Sequence, residues 1–315
     1  VNDENDDILV LAARDSMLSS CFDGDNRIVM ELEMERKNAG KYMLNFCSAC
    51  DFSLADFMKC PFKVTFIGEG GVDEGGLTSE FFSEISRQIC GNKSIFEDSN
   101  SKKRLVISDA EMDGGSVKSL WVVGVLLAKC LVEGRRWAQN LSSFVIRYLL
   151  SVQAPVVPND MEELDRDIYR NWRKLLLIGQ EERVEIEETL AHTTVQQYIE
   201  KNLLEYVRDR RLKGLNSVRK GFWDAAETVQ PLKKFLTTLK RRPFDLCLLL
   251  IGKEGISAGN IIKCLHFEGF NSDSLIPEWF SRALKSFSEL NLRRFLSFLT
   301  GQQELPLDVV LGRKQ

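Results

Sequence analysis

Residues 62–82 read Phe62-Lys63-Val64-Thr65-Phe66-Ile67-Gly68-Glu69-Gly70-Gly71-Val72-Asp73-Glu74-Gly75-Gly76-Leu77-Thr78-Ser79-Glu80-Phe81-Phe82, and three kinds of local structure follow one another in them. Phe62, Val64 and Phe66 fall on one side of a two-residue repeat, Lys63 and Thr65 on the other, as in a strand with one wet face. The strand runs into Gly68, Gly70, Gly71, Gly75 and Gly76, a glycine density that suits a tight turn with positive φ. A helix-like run follows over residues 77–90. A phosphate cradle is a poorer reading. Gly-Lys-Ser/Thr is absent, a G-x-G-x-x-G frame from Gly68 meets Asp73 where glycine is required, and Glu69, Asp73 and Glu74 repel phosphate.

Outward from this stretch the chain divides unevenly between strand and helix. Upstream, Ile28, Met30, Leu32 and Met34 alternate with Val29, Glu31, Glu33 and Glu35, a second half-wet strand. Downstream, residues 120–132 are strongly apolar and read as a core helix. Leu141, Phe144, Val145, Tyr148 and Leu149 recur at spacings of three and four, the mark of an amphipathic helix. Pro155 and Pro158 break that pattern. Asn159 or Asp160 then offers an N-cap for a helix running to about Ile178. The charged run over residues 180–188 is either a solvated connector or a short strand whose Val184 and Ile186 face a partner. A long helix is expected over residues 194–213, closed by Gly214. Gly252-Lys253-Glu254-Gly255 marks a break, and residues 274–288 and 291–299 are the last helical candidates. The expected fold class is mainly α with a few short strands (α+β).

Composition narrows the function classes. Hydrophobic residues make up 44% of the 315 and charged residues 28%, with a net charge of −4. That balance suits a globular chain of about two lobes and argues against nucleic acid, which asks for a basic surface. The clusters Arg208-Asp209-Arg210-Arg211 and Lys240-Arg241-Arg242 read as solvated helix ends. No uninterrupted apolar run reaches the ~18 residues of a membrane span, so no membrane partner is expected. The polar start, Val1-Asn2-Asp3-Glu4-Asn5-Asp6-Asp7, is unlike a signal peptide.

Eight cysteines are scattered along the chain: Cys21, Cys47, Cys50, Cys60, Cys90, Cys130, Cys247 and Cys264. Placed inside apolar helical patterns, they read as reduced, packed thiols of a cytoplasmic or nuclear protein. Cys47-Ser48-Ala49-Cys50 has zinc-pair spacing, but a structural site needs four ligands, and His192 and His266 are remote in sequence. Cys264 and His266 stand two apart on a helical stretch and therefore point in different directions. Neither a metal nor a cofactor is expected.

Three stretches together resemble the HECT family of ubiquitin ligases. The quoted segment, with its Gly-Gly-Leu-x-x-Glu-Phe-Phe, is similar to the family's strand, acidic glycine turn and helix start. Gly124-Val125-Leu126-Leu127-Ala128-Lys129-Cys130-Leu131-Val132-Glu133-Gly134 resembles the core helix of its large lobe. The third stretch runs from Gly221-Phe222 through Pro231, Leu248-Leu249-Leu250-Ile251-Gly252 and Glu278-Trp279-Phe280 to Phe298-Leu299-Thr300-Gly301-Gln302-Gln303-Glu304-Leu305-Pro306. Its last part is similar to the Phe-x-Thr-Gly-x-x-x-x-Pro that opens the family's small lobe. The order and spacing of the three hold over about four-fifths of the chain.

The resemblance implies residues 1–26 as an acidic N-terminal segment or linker, 27–288 as the large lobe, and 289–315 as hinge and small-lobe fragment. It implies a hinge at Phe287, Ser288, Glu289 and Leu290, with the apolar face of Leu292, Phe295, Leu296 and Leu299 packing back on the large lobe. It places a shortened dock for a ubiquitin-conjugating enzyme at about residues 174–198, with Leu177, Ile178, Val184, Ile186 and Leu190 as its apolar contacts. The implied partners are that enzyme, ubiquitin and a protein substrate. The family's nucleophile is a cysteine in a Thr-Cys context beyond the Thr-Gly; no Thr-Cys pair occurs in these 315 residues. The expectation is that this chain alone holds no catalytic residue and forms no ubiquitin thioester, the rival being a catalytically dead interaction module. Cys264 is expected to be a packing residue. In a further departure, Ser79 stands where the family often carries arginine.

Overall fold

A computed structural model describes residues 4–21, 28–70, 75–100, 104–190, 193–252, 256–271 and 274–300. The first described element is helix α1 (Glu4–Cys21), and Val10, Leu11 and Met17 on it are buried in the main core, where the helix packs against residues 230–239. Residues 4–21 of the segment expected to be a linker are therefore a packed helix, whose acidic start precedes the apolar Val10, Leu11 and Met17. Strand β1 (Met30–Met34), helices α2 (Ala39–Phe46) and α3 (Leu54–Lys59), and strand β2 (Phe62–Phe66) follow. β1 and β2 pair in parallel, and Phe62, Val64 and Phe66 are buried while Lys63 and Thr65 are exposed, as the alternation requires. The turn then leads into α4 (Gly76–Cys90), whose Phe81 and Phe82 pack with Phe62 and Phe57 in a chain of aromatic contacts. Gly68 and Gly75 take positive φ, 84° and 97°; Gly70 and Gly76 do not, and Gly71 lies outside the described residues. Strands β3 (Phe96–Asp98) and β4 (Leu105–Ile107) form a small antiparallel pair.

Helix α5 (Gly114–Val132) is the axis of the fold. Asp113 caps its N-terminus by accepting from the Ser116 amide at 2.7 Å, and every residue from Val122 to Val132 is buried. By length and composition α5 is apolar enough to cross a membrane, although its apolar residues are interrupted; two-thirds of it is enclosed by the rest of the chain, so it serves as a core helix. Lys129 is wholly buried on it. Its ammonium donates to the Cys60 carbonyl at 2.7 Å, pairs with Glu133 at 2.8 Å and stands 4.3 Å from the Phe62 ring centre. Desolvation lowers the Lys129 pKa, and the Glu133 carboxylate opposes that shift.

After α5 come α6 (Ser143–Leu150), α7 (Pro158–Leu164) and α8 (Arg166–Leu177). The single helix expected from residue 159 or 160 onward is two helices, because Asp165 takes an extended conformation and caps α8 through the Asp167 and Ile168 amides, both at 3.0 Å. Neither Asn159 nor Asp160 is the N-cap of α7. Val157 holds that position with Pro158 at the first turn, and Asp160 accepts from the Val157 amide at 2.7 Å. Next are α9 (Gln180–Thr189), α10 (Val195–Val207) and α11 (Leu212–Glu227). Gly214 does not close the helix ending α10; it lies inside α11, where a Cβ would meet Ile107 Cγ2 at 2.5 Å, so glycine is there for packing.

Helix α11 lies along α5 so closely that a Cβ on Gly124 would fall 2.0 Å from the Val218 carbonyl oxygen. On the other side a Cβ on Gly221 would fall 1.9 Å from the Trp121 carbonyl oxygen. The chain continues through α12 (Gln230–Leu239), α13 (Pro243–Leu250), α14 (Ala258–Cys264), α15 (Ile276–Lys285) and α16 (Glu289–Thr300). The last three helices form a small core of their own from Ile256, Ile261, Leu284, Leu292 and Leu296. The face of Leu292, Phe295 and Leu296 thus packs on α14 and α15 instead of the main core, and Leu299 is exposed.

Candidate functional site

The expected dock is a corner made by two successive helices. α8 ends at Leu177 because Ile178 turns extended (φ −66°, ψ 153°), and α9 starts two residues later after Gly179. Residues 180–188 are therefore helical, neither connector nor strand. Glu181 and Glu182 sit in the first turn of α9, where the N-terminal end of the helix dipole favours negative charge. Both helices rest on α10, which Thr194 caps by accepting from the Gln197 amide at 3.2 Å. Two further bonds tie the corner together: the Arg183 guanidinium donates to the Leu176 carbonyl at 3.0 Å, and the Val195 amide donates to Glu187 at 3.0 Å.

The five expected contact residues separate into two groups. Leu177 is 81% exposed and Val184 51% exposed, so they stand on the surface. Ile178 and Leu190 are half-buried at the ends of their helices, and Ile186 is half-buried against the main core. Sequence reasoning missed Leu176, also exposed; the run Leu175-Leu176-Leu177 was the available signal. The charge on either side is opposite in sign. α8 carries Arg166, Arg170, Arg173 and Lys174, while α9 carries Glu181, Glu182, Glu185, Glu187 and Glu188. The corner is thus an exposed apolar pair between a basic and an acidic helix.

The corner is fixed to the body through α7. Arg147 of α6, fully buried, is ion-paired with Asp160 and donates to the Pro155 carbonyl at 2.7 Å. The Ser143 amide donates to Glu163 at 2.9 Å, and the Asn100 amide to the Leu164 carbonyl at 2.9 Å. A second buried guanidinium, Arg211, donates to the Ile107 carbonyl at 2.8 Å and pairs with Glu97, joining the end of α10 to the β3–β4 hairpin. Arg211 is thus not the solvated helix-end charge expected of its cluster, and Arg147 carried no sequence signal of its burial.

The glycine turn is held by charge as well as by backbone. Arg36 pairs with Glu69 at 2.7 Å and with Glu80 at 2.8 Å and lies 4.0 Å over the Phe66 ring. The hydrogen bond from Arg36 holds the Glu69 carboxyl below the ordinary range. Ser79 is buried and receives a hydrogen bond from the Arg135 guanidinium at 2.6 Å, so an arginine reaches this place from the far end of α5. The expected hinge lies at the α15–α16 junction: Phe287 and Ser288 form the turn, Glu289 and Leu290 open α16.

The cysteines split by burial. Cys47 and Cys90 are buried, and burial pushes both thiols up to about 12; Cys130 is raised by the same cause. Cys50 is exposed, so the Cys-x-x-Cys pair faces two environments. Among the described residues, no three His, Cys, Asp or Glu side chains stand together as a metal set. Cys264 is exposed at the end of α14, with its thiol donating to the Asn260 carbonyl at 2.9 Å, and is not the packing residue expected of it. His266 is exposed, and His192 lies outside the described residues.

Comparison with known proteins gives one family and several relatives. The model of the HECT domain, described as a ubiquitin transferase, matches residues 83–311. E3 ubiquitin-protein ligase TOM1-like of Neurospora crassa is 24% identical over 270 residues, which make up 78% of this chain and 6% of that protein. E3 ubiquitin-protein ligase ptr1 of Schizosaccharomyces pombe is 24% identical over 298 residues, 82% of this chain and 9% of the relative. Human E3 ubiquitin-protein ligase NEDD4 is 23% identical over 311 residues, 90% of this chain and 23% of its own length. The chain therefore spans less than a tenth of the length of the first two relatives.

Proposed function

The chain belongs to the HECT-domain family of ubiquitin transferases, and from that membership we propose that it is the large-lobe part of a ubiquitin-protein ligase that recruits a ubiquitin-conjugating enzyme at the α8–α9 corner. The observation that carries the assignment of this corner is Leu177, an apolar side chain 81% exposed at the end of a helix whose neighbour α7 is anchored by the buried Arg147–Asp160 pair. An exposed apolar anchor flanked by charge on a rigid mount suits a transient protein contact. Ubiquitin and a protein substrate are the further partners of this reading, and the cytoplasm or nucleus is its compartment.

In the proposed division of labour this chain positions the conjugating enzyme and does not itself take ubiquitin as a thioester. Thioester exchange needs a thiolate that can reach the incoming carbonyl. Cys47, Cys90 and Cys130 are buried and held as thiols; Cys50 and Cys264 are exposed, but none of the eight cysteines follows a threonine, the context the family resemblance gives to the nucleophile.

The test uses a panel of conjugating enzymes charged with ubiquitin. At least one is expected to bind the chain, with binding reduced about tenfold or more by Leu177→Asp or Val184→Asp at unchanged melting temperature. A reductant-sensitive ubiquitin adduct on the chain itself would sink the division of labour. Binding indifferent to both substitutions would remove the dock from this corner. If no conjugating enzyme binds at all, the interaction-module reading replaces recruitment.

A further inference from the structure

The parallel pair β1–β2 has two outer edges, and the fold treats them differently. Met30 lies opposite Phe62 and Met34 opposite Phe66. The Met30 amide donates to the Pro61 carbonyl at 2.8 Å, and the Ile67 amide to the Met34 carbonyl at 2.9 Å. In a parallel ladder this phase turns the peptide groups of Met30, Leu32 and Met34 toward β2 and those of Glu31 and Glu33 away from it. On β2 it is Phe62, Val64 and Phe66 that face the outer edge, and this edge is covered. The Phe62 amide donates to the Glu133 carboxylate at 3.1 Å, the Thr78 hydroxyl to the Phe62 carbonyl at 3.4 Å, and the Glu69 amide to the Phe66 carbonyl at 3.1 Å.

The β1 edge has no such cover. The peptide N–H and C=O groups of Glu31 and Glu33 take no partner among the described residues. The side chains around them divide by face. Leu32 and Met34 are buried beneath, but Ile28, on the same parity, is 78% exposed, and Met30 is half-buried. On the solvent face stand Glu31, Glu33 and Glu35. Lys63 pairs with Glu31 at 3.0 Å and Lys37 with Glu35 at 3.3 Å, whereas Glu33 has no cation within pairing distance among the described residues.

We propose that β1 receives a third strand from a partner polypeptide: an extended segment in which apolar side chains alternate with lysine or arginine. Such a segment would meet the four outward peptide groups of Glu31 and Glu33 with main-chain hydrogen bonds, the source of affinity in strand addition. Its apolar side chains would cover Ile28 and Met30, and its basic ones would lie beside Glu33 and Glu31. Alternation of the two on opposite faces follows from the strand period. A second copy of β1 fits poorly, because glutamates of the two copies would stand opposite one another and like charges across a ladder are destabilising. The inference rests on β1 alone and is independent of the reading of the α8–α9 corner.

The experiment follows residue-resolved amide exchange of the whole chain while a short synthetic peptide of alternating valine and lysine is titrated in. The Glu31 and Glu33 amides are expected to slow about tenfold or more at saturation, with affinity falling as salt rises. Glu33→Pro deletes an outward donor and leaves the ladder to β2 intact, so it should fold and bind the peptide at least about tenfold more weakly. The pair Glu31→Lys and Glu33→Lys should move the preference to a peptide of alternating valine and glutamate; it carries the test alone if Glu33→Pro fails to fold. The proposal is overturned if the two amides do not slow, if the glutamate peptide binds the unaltered chain equally well, or if the edge amides slow with protein concentration alone, which would make the occupant a second copy.

Discussion

Gly124 on α5 and Gly221 on α11 each face the other helix's backbone, and the closeness of the two axes rests on the absence of two methyl groups. The atoms a new Cβ would strike are carbonyl oxygens at 2.0 and 1.9 Å, which cannot rotate out of the way as a side-chain end can. Gly221→Ala must therefore separate the helices over part of their length. We expect a loss of about 3 kcal/mol or more, at the upper end of overpacking costs, read as a lower denaturation midpoint. The buried thiols give a second residue-scale expectation. Cys47 and Cys90 are raised from 9.0 to about 12 by burial, so between those values the unfolded chain loses protons that the folded chain keeps. Stability is then whole below pH 9 and falls as pH climbs toward 12, by about 1 kcal/mol for each thiol at pH 10. Cys90→Ala should start less stable at pH 8 and lose less between pH 8 and pH 10 than the unaltered chain; an equal loss would remove the thiol from the account. At this scale the sequence was legible where one side chain has one environment. Phe62, Val64 and Phe66 alternate because one face is dry, and the structure buries all three. It was opaque for Gly214, which looked like a helix stop and owes its place to Ile107 far along the chain, and for Asp160, which looked like an N-cap but sits in the first turn of α7, bonded to the Val157 amide and paired with buried Arg147.

Among the helices, α9 shows why a short charged segment resists reading. No residue of it is fully buried, so it has no wide apolar stripe to display a 3.6-residue period. Its Val184 and Ile186 stand two apart, which imitates a strand, while the glutamates around them favour a helix by propensity and by their place near its N-terminus. Contact with α10 then decides the outcome, and no local pattern records that contact. The helical form gives the two residues different work. Val184 is exposed and Ile186 packs against the main core, whereas a strand would have put both on one face. Leu177→Asp and Val184→Asp should thus change binding and leave the melting temperature within a few degrees. Ile186→Ala should lower stability by about 1–2 kcal/mol, a fraction of a full core truncation because the side chain is only half-buried. Thermal melts and titrations with a conjugating enzyme on the three variants separate the two roles. If Ile186→Ala abolished binding at unchanged stability, Ile186 would belong to the contact surface. The family resemblance is what directs attention to this corner as a dock; its helical form, Leu176 and the Arg147–Asp160 mount were not legible.

For the molecule as a whole, the division of the core matters more than the number of helices. Among the described residues, one large cluster joins α1 through α13, with α5 and α11 at its centre, whereas α14, α15 and α16 close on five buried residues of their own. The small cluster is extended by ring contacts of Phe295 with Phe280 at 5.9 Å and with Phe287 at 6.5 Å. The apolar surface buried among these described residues holds three helices less firmly than the large core holds its own, because ordering each residue costs about 1–2 kcal/mol of conformational entropy in either place. The C-terminal helices are then expected to open as a unit at a lower free energy than α5 and α11. That suits a segment whose α15–α16 turn, Phe287 and Ser288, is the place the family resemblance gives to an interlobe hinge. Native-state hydrogen exchange in increasing denaturant measures both openings in one experiment. Amides of α15 and α16 should join a common sub-global opening well below the global transition, while those of Val122 to Val132 exchange only through global unfolding. Leu296→Ala, which empties the centre of the small cluster, should raise exchange across α14 to α16 by a common factor and leave α5 unchanged. A single transition shared by α5 and α16, shifted equally by Leu296→Ala, would mean that the two clusters fold as one and that the junction transmits stability across the turn.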